Sequence, residues 1–158
     1  MTQRAVLLQA LASTPRDING LIRALPANGY DWRPDDGWSV GQVLDHLLAV
    51  EAVYRARLER IRREDNPRLP HFDSEEMPPT PTPPPLDVLL KDFAEKRRGT
   101  LDFLTDLGPG EWQRPASRNS RGATTLRWQV VEMMNHDLAH LGQLVDIRVQ
   151  WDRVKRDA

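Results

Sequence analysis

His136 and His140 stand four residues apart in a stretch where Leu126, Val130, Met133, Leu144, Ile147 and Trp151 keep to steps of three and four. On a helix that spacing stacks the two imidazoles on one face, with Cβ atoms about 5–6 Å apart, close enough to ligate one ion. His46 lies three residues after Val43 and four before Val50, on the apolar stripe of an earlier segment. Three of the four histidines therefore sit at core-facing helical positions. A lone histidine there is usually a satisfied core residue. Buried neutral rings, however, need partners for both nitrogens, and one divalent ion serves three rings at once. Three protein nitrogens leave a coordination position open for water or substrate, as a catalytic ion needs and a structural one does not.

Other residues are weaker candidates. His136-Asp137-Leu138-Ala139-His140 invites comparison with the H-E-x-x-H helix of zinc proteases, but Asp137 is a methylene shorter than that glutamate and no histidine follows His140. Asp146 could be offered as a carboxylate ligand in its place. Asp45, Glu51, Glu132 and Asp137 could hold the rings from behind, although each reads more simply as a solvated helix residue. Arg55, Arg57, Arg60, Arg62 and Arg63 are interleaved with Glu51, Glu59, Glu64 and Asp65, which suggests a salt-bridged solvent face. Arg118, Arg121 and Arg127 would suit a carboxylate-bearing substrate if they lay near an ion. His71 falls in a loop, and Trp112 and Trp128 read as packing residues.

The elements that must position these groups read as all-α. Apolar residues recur at helical spacing in four stretches, and no alternating run signals a strand. The first stretch spans Val6 to Leu25, with Pro15 expected to restart the helix behind an N-cap at Ser13 or Thr14. The second should begin at Ser39, because Ser39 and Gln42 make a capping box and Trp38 and Val43 a hydrophobic staple. It runs to the charged residues before Asn66-Pro67. The third extends from Leu86 or Asp87 to Leu107, and the fourth opens near Thr124 or Thr125. About twenty residues, rich in proline, separate the second helix from the third. Such a chain can recross a bundle, because extended proline-rich segments cover about 3 Å per residue. The expectation is one four-helix-bundle domain over residues 1–158.

Composition narrows the setting. The 158 residues carry 22 Lys and Arg against 23 Asp and Glu, a net charge of -1, which offers no basic surface for nucleic acid or an anionic membrane. No cysteine is present, so disulfides, thiolate ligands and a cysteine nucleophile are excluded. No apolar run approaches the roughly 20 residues of a bilayer span, and the N-terminus lacks a signal-peptide pattern, which together point to the cytoplasm.

Trp38-Ser39-Val40-Gly41-Gln42-Val43-Leu44-Asp45-His46-Leu47 resembles the W-S-x-x-x-x-L-x-H-L segment of the DinB-like superfamily. His136 to Leu144 resembles its H-x-x-x-H-x-G-Q segment, in the expected order, and the first helix carries the matching Thr-Pro. The resemblance implies an up-down-down-up bundle in which His46, His136 and His140 surround nickel, zinc or a similar divalent ion such as iron or manganese. It also implies a homodimer and reactions on small molecules: transfer of a low-molecular-weight thiol to an electrophile, or hydrolysis. The lack of cysteine agrees with an external thiol co-substrate. The other reading is a non-catalytic bundle that binds a ligand or a protein partner, its histidines empty or structural, which an ion-free, filled interior would favour.

Overall fold

The computed structural model describes residues 2–119 and 122–157. Helix α1 (Gln3–Ile22) starts behind Thr2, whose hydroxyl accepts from the Ala5 N–H. A short helix, α2 (Ala27–Tyr30), follows Pro26. Helix α3 (Val40–Arg63) opens at the expected N-cap: Ser39 accepts from the Gln42 N–H while the Gln42 side chain accepts from the Ser39 N–H. Asn66, in the left-handed region at φ 43°, turns the chain out of α3. Helices α4 (Leu86–Asp106) and α5 (Leu126–Asp157) complete the bundle, and the Thr125 hydroxyl accepts from the Trp128 N–H at the start of α5.

Side-chain contacts give the helix directions. The first turn of α1 meets the last of α4 through Arg4 and the Leu104 carbonyl, so those two run antiparallel. Gln3 meets Arg127 and Leu21 meets Arg148, so α1 and α5 run parallel. Glu51 meets Arg97 and Arg62 meets Asp106, so α3 and α4 run parallel, while Arg57 against Gln129 sets α3 antiparallel to α5. The order is up-down-down-up, and the proline-rich segment is the crossover that lets α4 repeat the direction of α3.

That crossover is held down. Asp45 accepts from both the N–H and the hydroxyl of Thr80, Gln42 donates to the Thr80 carbonyl, and Pro83 packs against Gly41. A Cβ at Gly41 would meet the Pro83 ring at 3.2 Å, so any larger residue would push the crossover outward by a few tenths of an ångström.

Two expectations are corrected. Pro15 neither restarts nor breaks α1, which runs unbroken around it. Strands do exist: β1 (Arg68–Leu69) pairs parallel with β2 (Pro115–Arg118), which pairs antiparallel with β3 (Gly122–Thr125). These strands are two to four residues long, too short to show alternation, and β1 pairs with a segment nearly fifty residues away. The sheet ties the start of the crossover to the connection before α5, with Leu69, Ala116 and Thr124 buried beneath it.

The interior holds two apolar clusters. Leu7, Leu11, Tyr54, Leu58, Leu104 and Met133 belong to one, and Ile18, Leu44, Leu47, Phe93 and Leu144 to the other. Thr14, Glu51, Arg97, Thr100 and Asp137, all buried, form a polar layer whose sequence positions fall between them on α1, α4 and α5 and, on α3, next to Val50 at the edge of the first.

Candidate metal centre

The polar layer is organised by Arg97, only 1% exposed. Its guanidinium donates to both oxygens of Glu51 and both of Asp137, and its Nη1 reaches the Leu11 carbonyl at 2.9 Å. Thr100 donates to Glu51 at 2.7 Å and Thr14 to Asp137 at 2.8 Å. A charge this deep is tolerable only when every lone pair and proton is matched, and here the two carboxylates do so. Their field more than offsets the burial that would otherwise lower the Arg97 pKa, and the net direction is upward.

Asp137 fixes the face that α5 turns inward, and His136, beside it in sequence, is thereby turned toward α3. His136, His140 and His46 come together there, with one ring nitrogen from each inside a span of 4.8 Å. His136 Nε2 lies 2.9 Å from His46 Nε2 and 3.1 Å from His140 Nε2. The opposite nitrogens of two rings are committed. His46 Nδ1–H donates to the Met77 carbonyl at 2.7 Å, and His140 Nδ1–H donates to Gln143 Oε1 at 2.7 Å.

Those donors set the tautomers, because a carbonyl oxygen can only accept. The Nε2 lone pairs of His46 and His140 must then point into the space they share with His136. A single proton on His136 Nε2 can only be divided between them, whereas a divalent cation satisfies all three. Nitrogens held at about 2.0–2.1 Å from one tetrahedral ion stand about 3.3 Å apart, within a few tenths of an ångström of the two close separations here. Neutral imidazoles suit nickel, zinc or iron better than magnesium or calcium. The residues present therefore fit a three-nitrogen ion site.

Electrostatics agree. Burial pushes the His136 pKa down to about 3, helped by the neighbouring His140, His46 and Arg97. The pKa values of His46 and His140 are also lowered, again mainly by burial, although the Met77 and Gln143 hydrogen bonds oppose the shift. At neutral pH the rings are uncharged and available as ligands.

Trp38, read from sequence as a staple residue and as the first residue of the W-S segment, stands over the cluster. Its ring stacks on His140 at 6.1 Å and 8°, and tilts against His46 at 5.0 Å. The crossover supplies the Met77 carbonyl, which no side-chain pattern can announce.

The remaining candidates sort as follows. Asp137 and Glu51 are not solvated, and Asp137 is no general base, since its oxygens are spent on Arg97 and Thr14. Asp45 holds the crossover at Thr80, and Glu132 accepts from Arg118 and Gln129. Asp146 is exposed and outside the cluster. His71 is exposed beside Glu76, as a loop residue should be. The basic run on α3 is largely a salt-bridged face, with Arg55, Arg60 and Arg62 paired to acids, but Arg57 is buried. Arg118 pairs with Glu132, Arg127 reaches Gln3 on α1, and Arg121 lies outside the described residues. Trp112 packs in the core as expected, whereas Trp128 is 47% exposed and does not. Arg97 went unremarked, yet its step of four from Phe93 and seven from Leu104 put it on the core stripe of α4.

Among the described residues no helix is long and apolar enough to cross a membrane. No curated protein sequence matches the chain. Among solved structures it is similar to YfiT from Bacillus subtilis, a probable metal-dependent hydrolase with an unusual four-helix bundle topology. The two superpose with a TM-score of 0.84 over 96% of this chain and 90% of that one, at 16% identity, a likeness of fold. The sequence pattern of the DinB superfamily matches residues 10–144, a span that takes in all three clustered histidines. With that match and the bundle order in agreement, the chain belongs to the DinB superfamily.

Proposed function

We propose that this protein is a metal-dependent enzyme in which His46, His136 and His140 hold one divalent ion, zinc or nickel, and present a small-molecule electrophile to an external nucleophile. The observation that carries the reading is the convergence of three Nε2 atoms while two Nδ1–H groups are anchored elsewhere. When bound, the ion supplies a Lewis acid that lowers the pKa of water or of a low-molecular-weight thiol into the neutral range.

The chain's own residues support an external nucleophile. The sequence has no cysteine. Of the two carboxylates adjacent in sequence to the cluster, Asp45 holds Thr80, and Asp137 is saturated by Arg97 and Thr14 and cannot take up a proton without leaving Arg97 underpaired. The Met77 carbonyl and Gln143 hold two rings in one tautomer, so ligand orientation is preset. Trp38 stacks on the His140 ring and packs against His46, which helps hold both in place. YfiT, described as a probable metal-dependent hydrolase, lends support to the hydrolytic form of this reading.

The test is metal uptake by protein made without a histidine tag, followed by assays of thiol transfer and of ester and amide hydrolysis. One equivalent of zinc or nickel is expected, with activity that disappears on chelation and returns on reloading. Protein that takes up no stoichiometric ion, or that works equally well without one, removes the proposal.

A further inference from the structure

A cleft of about 190 Å³ lies between α3 and α5, on the same two helices that carry the histidines. Tyr54 and Arg57 line it from α3, Glu132 and Asn135 from α5, and Pro70 to Ser74 from the crossover. On α3, His46, Val50, Tyr54 and Arg57 follow one another at steps of four, four and three, along one face. On α5, Glu132 precedes His136 by one turn. Helical rise puts the cleft about 6 Å from the histidines along α5 and about 12 Å along α3.

Arg57 is the unusual member. The residue is 8% exposed. Its Nε donates to Gln129 Oε1 at 2.8 Å and its Nη1 to the Pro70 carbonyl at 3.0 Å, both neutral acceptors. It forms no ion pair with a described residue, and its Nη2, which is not sealed from solvent, has no hydrogen-bond partner among them. Arg97, the other deeply buried guanidinium, has two carboxylates. Desolvation lowers the Arg57 pKa against the opposing field of Glu132, a net direction opposite to that of Arg97. A guanidinium buried at such cost and left short of an anion is poised to accept one.

The surroundings narrow the anion. Phe72 meets Tyr54 edge to face at 5.3 Å and lies under the Arg57 guanidinium at 5.6 Å, so an apolar wall stands beside the free donor. Arg118 is matched by Glu132 at 2.6 Å, and Asp73 adds a second carboxylate to the lining. Two acids in the lining disfavour a dianion such as phosphate, whereas a single carboxylate on a short organic chain suits one unmatched guanidinium and an aromatic wall.

We propose that the Arg57 cleft binds a carboxylate of the substrate, fixing one end of the molecule while the other reaches toward the histidines, one turn away along α5. The proposal rests on the metal-enzyme reading for its substrate, but the cleft can be tested apart from it.

Untagged, metal-free protein would be titrated with butyrate, with butyramide as the neutral isostere and with inorganic phosphate, while the Arg57 Nε–H resonance is followed by NMR. Butyrate should shift that resonance saturably and butyramide should not. Arg57→Lys, which keeps the charge and loses the fork, should bind butyrate about tenfold more weakly. No saturable response at Arg57, an equal response to butyramide, or tighter binding of phosphate than of butyrate overturns the proposal. The wild-type titration stands even if the variant does not fold. Zinc uptake measured on the same preparation separates the two readings. Butyrate binding without zinc binding sustains the cleft and removes the metal centre, and zinc binding with a silent Arg57 does the reverse.

Discussion

The Leu11 carbonyl accepts from Arg97 Nη1 at 2.9 Å because Pro15, four residues further along α1, has no N–H to offer it. Leu11 is fully buried, so without Arg97 that carbonyl would be orphaned in the core. The proline thus opens an acceptor where the bundle needs one, and Thr14 beside it donates to Asp137. Two adjacent residues of α1 join the layer that orients the histidine face of α5.

Arg97→Met should lower stability by about 3–5 kcal/mol, since it leaves Glu51 and Asp137 buried without their cation. Pro15→Ala should help more in the Arg97→Met background than in the parent, because only there does the new N–H meet an unpaired Leu11 carbonyl. A double-mutant cycle by urea unfolding should give a coupling of about 1 kcal/mol. Strict additivity would show that proline and arginine do not share that carbonyl.

Ser39→Ala should cost about 1 kcal/mol through loss of the cap on α3. The urea midpoint reads it directly. An unchanged midpoint would mean that packing of Trp38 and Val43, not the capping box, sets the start of the helix.

Alanine at His46, His136 or His140 should sharply reduce zinc or nickel uptake while leaving helical circular dichroism intact. The two apolar clusters do not depend on the ion, unlike the interior of a zinc finger. Metal analysis after dialysis is the check, and three variants that all bind like the parent would show that the ion sits elsewhere.

Gln143→Ala should weaken metal affinity about 10–100-fold without touching a ligand, because it frees the His140 ring to rotate. Competition with a chromogenic chelator measures this. Gln143→Glu, which keeps an acceptor at Nδ1, should restore much of the loss.

Metal-stripped protein should lose stability as pH falls through the range where only the unfolded chain takes up protons. His136 protonates near 6.5 when unfolded and near 3 when folded, so stability is fully present above 6.5 and declines as pH falls toward 3. Burial moves His46 and His140 in the same direction. Unfolding free energy against pH, compared between the parent and His136→Ala, should show the shallower slope in the variant. Equal slopes would mean that His136 takes up its proton as readily in the fold as out of it.

Residues that act on near neighbours could be read from the sequence alone. The Ser39–Gln42 box spans four residues, the His136–His140 pair one turn, and the apolar stripes of α3, α4 and α5 repeat every three or four. Each is a local consequence of helical geometry, and His46 joined them through its place on such a stripe. The tertiary structure decided what depends on distant chain. Pro15 stays helical because Arg97, more than eighty residues away, takes the carbonyl it frees. The three short strands exist because the crossover and the segment before α5 lie side by side. Glu51, Asp137 and Arg57 look like surface charges in a sequence, since burial of a charge is settled by what surrounds it. Only the packed bundle shows that two of them have an arginine between them and that the third makes no ion pair with a described residue.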